Sequence, residues 1–163
     1  MTGLHIDEEP AEEPAEHRRF ACYLQAFEAV AEADEADLVA AVLRDQDTTM
    51  ADSAVCRHLD RRAADLLTGP AFTAWARTMT EVIADRDFLT LRLREWTLLR
   101  TIALGKPWAA KDLTSASDWF QRMATTLQIV TSPEALRLLA ERGRTRRVRN
   151  AASRQPQHRD QPN

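Results

Sequence analysis

From Glu16 to Gly143 the apolar side chains return every third or fourth position, the period of a helix with one buried face. Phe20, Tyr23, Leu24, Phe27 and Val30 make the first such stripe, and Leu38, Val39, Val42 and Leu43 a short second one. Asp45-Gln46-Asp47-Thr48-Thr49 reads as a turn and helix start, because Asp and Thr side chains accept hydrogen bonds from the free N–H groups of a first turn. The third helix then buries Ala51, Val55, Leu59, Ala63 and Leu66, and Thr68-Gly69-Pro70 ends it. Phe72, Trp75, Met79 and Val82 follow on a single face. After Asp85-Arg86-Asp87, residues 88–104 carry a broad apolar set. Leu89, Leu93, Trp96, Leu99 and Ala103 form one stripe, with Phe88, Leu91, Leu98 and Ile102 beside it. Such girth predicts a central helix touched from several sides. Gly105 and Pro107 stop it.

A loop holding Trp108 leads to a sixth helix, capped by Thr114 or Ser115, that buries Trp119, Phe120, Met123 and Leu127. Thr131-Ser132-Pro133-Glu134 is a helix start with Ser132 as cap and Pro133 at the first position; Leu136 and Leu139 line that helix up to Gly143. Residues 144–152 add one or two basic turns. The expectation is an all-α protein of six to seven helices in antiparallel pairs, either a solenoid or an irregular bundle. It forms a single domain over residues 16–152, between a disordered acidic tail (1–15) and a disordered polar tail (153–163).

Composition agrees with that picture. The 163 residues are 44% hydrophobic and 29% charged, as in globular proteins, and hold only four glycines. No apolar run reaches the length of a bilayer span, and the N-terminus is acidic where a signal peptide is basic, so a cytoplasmic location is expected. Cys22 and Cys56 lie in helical patterns and read as buried free thiols. Arginine is frequent and lysine occurs only at 106 and 111, which fits a GC-rich coding background. Charge is uneven: residues 1–37 carry net −9, residues 38–136 net zero, and residues 137–163 net +6.

Shifting the chain by 40 residues places Val42, Asp45, Asp47, Leu59 and Ala63 on Val82, Asp85, Asp87, Leu99 and Ala103, with a weaker third copy from Thr114. Over residues 35–142 this grammar of short helix, Asp-x-Asp turn and longer helix resembles HEAT-like repeats, which stack antiparallel helix pairs into an α-solenoid. The resemblance implies binding of protein or nucleic acid along the second helices and supplies no catalytic residues. The offset aligns Arg57 and Arg61 of the third helix with Thr97 and Thr101 of the fifth, beside Arg94.

Cys56-x-His58-x-Asp60 is the densest reactive run, but side chains two apart on a helix diverge by about 200° and cannot converge on one metal. Solvated side chains beside a buried thiol are expected there. The Asp-x-Asp pairs could take Mg²⁺, yet capping accounts for them. Trp75, Trp96 and Trp119 sit on apolar stripes, and Trp108 is the one tryptophan expected at the surface. Arg142, Arg144, Arg146, Arg147 and Arg149 form the strongest polar signal, suited to phosphates or to the acidic N-terminal arm. No GxSxG, GxGxxG, P-loop, HExxH or CxxC occurs.

These features favour a non-enzymatic adaptor that presents a helical surface, including Arg57, Arg61 and Arg94, to a protein or peptide. No cofactor, metal or membrane partner is expected. The alternatives are a nucleic-acid-associated protein using the C-terminal arginines, and a small helical enzyme with a buried ligand pocket.

Overall fold

The computed structural model describes residues 13–127 and 132–155. Among them every regular element is helical: α1 (Ala15–Ala29), α2 (Glu35–Val42), α3 (Thr48–Leu66), α4 (Phe72–Val82), α5 (Asp87–Ala103), α6 (Ala110–Thr114), α7 (Asp118–Thr126), α8 (Pro133–Arg142) and α9 (Arg146–Arg154). The all-α expectation holds. The count exceeds six to seven because a short helix, α6, occupies the segment expected as a loop, and the basic turns after Gly143 are a full helix, α9. Of the expected tails, 1–15 and 153–163, residues 1–12 and 156–163 lie outside the described residues, as does Thr131 of the expected start signal, while Ala15 belongs to α1 and Ser153 and Arg154 to α9. No helix among the described residues is long and apolar enough to cross a membrane.

The chain divides into two compact units, residues 1–58 and 59–163, with α3 running through the division. In the first unit the Asp45-x-Asp47 turn caps as its residue types predict. Asp47 Oδ1 accepts the Met50 N–H at 3.0 Å, and Asp45 Oδ1 accepts the Asp47 N–H at 2.9 Å. The other Asp45 oxygen accepts the Tyr23 hydroxyl at 2.6 Å, and Arg19 Nε lies 3.2 Å away, which ties α1 to this turn. The aligned turn before α5 is built differently: Asp87 is already the first helical residue, and Arg86 before it makes no side-chain cap.

Two expectations in the first unit are corrected. His58 is not solvated: it is buried, with Nε2 2.7 Å from the equally buried Glu35 Oε1 and its ring stacked on Phe27 at 4.3 Å. A helical stripe reports the buried face but not a polar pair that two helices bury together. Cys22 is exposed, because α1 buries only Phe27 fully, whereas Cys56 is buried as expected; both are free thiols.

In the second unit α5 packs on α4 and α7, α7 on α9, α6 on α8, and α8 on α9. Leu59 and Ala63 of α3 and Leu67 just after it join Phe72, Trp75, Met79, Leu89, Leu93, Trp96 and Leu99 in the core. Ser117, rather than Thr114 or Ser115, caps α7, its hydroxyl accepting the Phe120 N–H. Ser132 and Pro133 start α8 as expected. Gly143 makes the α8–α9 turn possible, since a Cβ there would sit 2.6 Å from the Leu139 carbonyl oxygen and 2.8 Å from Val148 Cγ1.

The Tyr23–Asp45 bond predicts a pH signature. The Tyr23 hydroxyl bond, then the Asp47 N–H and Arg19, hold the Asp45 carboxyl below its ordinary value of 3.8. The same bond, helped by burial and the Asp45 charge, holds Tyr23 above 10.0. The Asp45 contribution to stability is therefore complete above pH 3.8 and lost as pH falls through its lowered pKa. The Tyr23 contribution is complete below pH 10.0 and lost as pH rises through its raised one. Thermal melts of the protein and Tyr23→Phe should differ most between these limits and converge outside them.

Candidate functional site

The turn after α5 sets one wall of the site. Gly105 adopts φ 66°, its N–H donating to the Ile102 carbonyl and the next N–H, of Lys106, to Thr101 at 3.0 Å. This is a left-handed helix stop that glycine makes without steric cost. It turns the chain through Pro107 and places Trp108, half-buried, beside α5.

On α5 itself, Leu91, Arg94, Leu98 and Thr101 recur at three and four and so share one face, with Thr97 at its flank. Together with Pro107, Trp108, Asp112 of α6 and the 115–117 turn, they line an open groove of ≈ 560 Å³, which Arg144 reaches from the α8–α9 turn. Its volume is that of ligand sites in general, and the surface it exposes is more apolar than polar.

The far wall is stitched in place. Glu95, buried on α5, accepts the Ser117 N–H and the Ser117 hydroxyl, both at 2.8 Å, one on each carboxylate oxygen. The fully buried Gln121 donates to the Leu113 carbonyl at 3.1 Å and accepts the Arg144 N–H at 2.8 Å, joining the end of α6 to the α8–α9 turn. The Arg144 side chain donates to the Ala116 carbonyl at 3.3 Å and pairs with Asp118 at 3.3 Å.

The structure thus brings together Arg94, Thr97, Thr101, Trp108 and Arg144 from the residues singled out in the sequence. Arg94 is exposed and has no hydrogen bond or ion pair among the described residues. Arg57 is exposed in the first unit, and Arg61, exposed on α3, does not line the groove. Arg142, Arg146 and Arg147 are exposed outside it, and Arg149 is half-buried and donates to the Gly143 carbonyl at 2.7 Å.

Leu91 and Leu98 were expected on the apolar girth of this helix and not as groove residues. The breadth of the α5 apolar set signalled a second contact face, and neighbours cover only part of it: Ile102 is buried and Leu98 half-buried, whereas Phe88 is 51% exposed and Leu91 50%.

Among the described residues no group of three or more His, Cys, Asp or Glu side chains is placed to hold a metal, and no buried side-chain polar atom lacks a hydrogen-bond partner. No family model, curated protein or solved structure matches this chain.

Because both Glu95 oxygens are committed to Ser117, Glu95→Ala leaves a helix-start N–H without its partner. It should lower unfolding stability by about 1–3 kcal/mol, read as a shifted urea midpoint with unchanged slope.

Proposed function

We propose that this protein is a non-enzymatic binding module whose α5 groove takes a short peptide segment carrying an apolar side chain next to a carboxylate. The observation that carries this reading is the pairing of an apolar strip, Leu91, Leu98, Pro107 and Trp108, with an Arg94 guanidinium that has no partner among the described residues, in one open groove. The apolar side chain of the partner lies along the strip, and its carboxylate meets Arg94 in a charge-assisted bond. Asp112, Thr97 and Thr101 remain for the partner's backbone N–H groups. An extended or helical segment suits the site, since positions 91–101 of α5 span about 15 Å.

The chemistry of the groove favours binding over catalysis. Among the described residues that line it, the one buried carboxylate, Glu95, has both oxygens occupied, and there is no histidine or cysteine to act as a base or nucleophile. We also read the second unit as a stack of helix pairs in the HEAT-like manner. The packing of alternate helices, α5 on α7, α7 on α9 and α6 on α8, supports this, and α5, which lines the groove, is the second helix of its pair.

Selection of binders from a random peptide display library on the full-length protein tests the reading. Enriched peptides should pair an apolar residue with Asp or Glu. Arg94→Glu should weaken them at least about tenfold, the scale of one charged hydrogen bond, and Leu98→Asp should abolish binding. Enrichment of basic peptides, or binders indifferent to both substitutions, contradicts it.

A further inference from the structure

The C-terminal helix runs against a local rule. α9 reads Arg-Arg-Val-Arg-Asn-Ala-Ala-Ser-Arg and contains no acidic residue. Arg146, Arg147 and Arg149 crowd its first turn, where the helix dipole and the free N–H groups already favour negative charge. The helix forms because Val148 and Ala152 are buried and the Thr145 hydroxyl accepts the Val148 N–H. Among the described residues nothing offsets that cost for Arg146 and Arg147, and Arg154, in the last turn, gains only the helix dipole. All three are exposed and, like Arg142 at the end of α8, have no hydrogen bond or ion pair among the described residues.

An arginine-rich coding background does not account for them. Residues 38–136 hold twelve basic and twelve acidic side chains, whereas residues 132–155 hold seven arginines against Glu134 and Glu141 alone. The surroundings narrow the partner further. Residues 132–155 contain no aromatic side chain, so the surface lacks a platform on which unpaired bases could stack. The exposed positions of α9 are Arg, Asn and Ser, and the large exposed apolar side chains among the described residues, Phe88, Leu91 and Leu104, lie instead at α5 and its end. A protein partner would find no apolar anchor to bury. A phosphate backbone requires only cations.

We infer that Arg142, Arg146, Arg147 and Arg154 form a contact surface for the phosphate backbone of double-stranded nucleic acid. Contact is independent of base sequence, because backbone phosphates carry none. It does not use the groove-lining arginines at 94 and 144. A protein with both surfaces tethers a peptide-bearing partner to a duplex.

The test is fluorescence anisotropy of a labelled DNA duplex of about 20 base pairs and arbitrary sequence, titrated with the full-length protein between about 50 and 200 mM salt. Binding should weaken at least about tenfold over that range. In the quadruple variant Arg142→Ala, Arg146→Ala, Arg147→Ala, Arg154→Ala the salt slope should fall by about 3 to 4. These side chains are exposed, so its circular dichroism should match that of the parent. Should the quadruple variant not fold, Arg147→Ala and Arg154→Ala singly should each reduce the slope by about 0.9. No binding, salt-insensitive binding, or an unchanged slope in the variants overturns the inference. So does polyglutamate competing as well as duplex, or a single strand of equal length binding more tightly.

Discussion

One carboxylate fixes how α5 is presented. Asp60, in the last turns of α3, accepts the Arg92 guanidinium at 2.7 Å on one oxygen and the Trp96 indole N–H at 2.8 Å on the other. The Arg92 guanidinium lies 3.7 Å over the Trp119 ring, and Trp96 meets Trp119 edge-on at 5.5 Å. A single acid thus holds α5 at two points four residues apart, and α5 in turn grips α7. With Asp60 at 31% and Arg92 at 12% side-chain exposure, solvent weakens the pair less than it would a surface ion pair. The hydrogen bonds to a charged group, at about 1.5–3 kcal/mol each, join a cation–π contact of about 0.5–2 kcal/mol. Arg100 adds a third tie, donating to the Leu67 carbonyl and lying over Phe72.

With α5 fixed in rotation, the faces it leaves uncovered are also fixed. Trp96 and Leu99 turn inward, which brings Leu91, Arg94, Leu98 and Thr101 to the groove. Glu95 then positions Ser117 and the start of α7, and Gln121 carries the same constraint to Arg144. The groove follows from the register of the core, and hydrogen bonds among Glu95, Ser117, Gln121 and Arg144 hold its far wall. The peptide binding proposed for the groove would draw on this preformed geometry.

Much of this architecture was legible in the sequence because it rests on periodicity. Phe72, Trp75 and Met79, or Leu89, Leu93, Trp96 and Leu99, declare a buried face without reference to any neighbour. Ser132-Pro133 and Gly105 declare ends, since their chemistry acts within one turn. What stayed hidden depends on contacts between distant segments. Asp60 reads as a solvated helix residue until Arg92 and Trp96, more than thirty positions away, are placed against it. His58 does the same until Glu35 is. Of the groove, Arg94, Thr97, Thr101, Trp108 and Arg144 carried a signal as polar or aromatic side chains off the apolar stripes. Leu91 and Leu98 did not, because an apolar residue looks alike whether a neighbouring helix or a partner covers it. The segment 110–114 offered too short a pattern to be told from a loop.

Amide hydrogen exchange on Asp60→Ala tests most directly whether this carboxylate governs the groove. Loss of its two bonds to α5 should speed exchange by more than about tenfold along α5 and around Ser117, ahead of α8 and α9. Exchange in α5 that keeps its native rate, or that accelerates no more than in the rest of the second unit, would contradict the account.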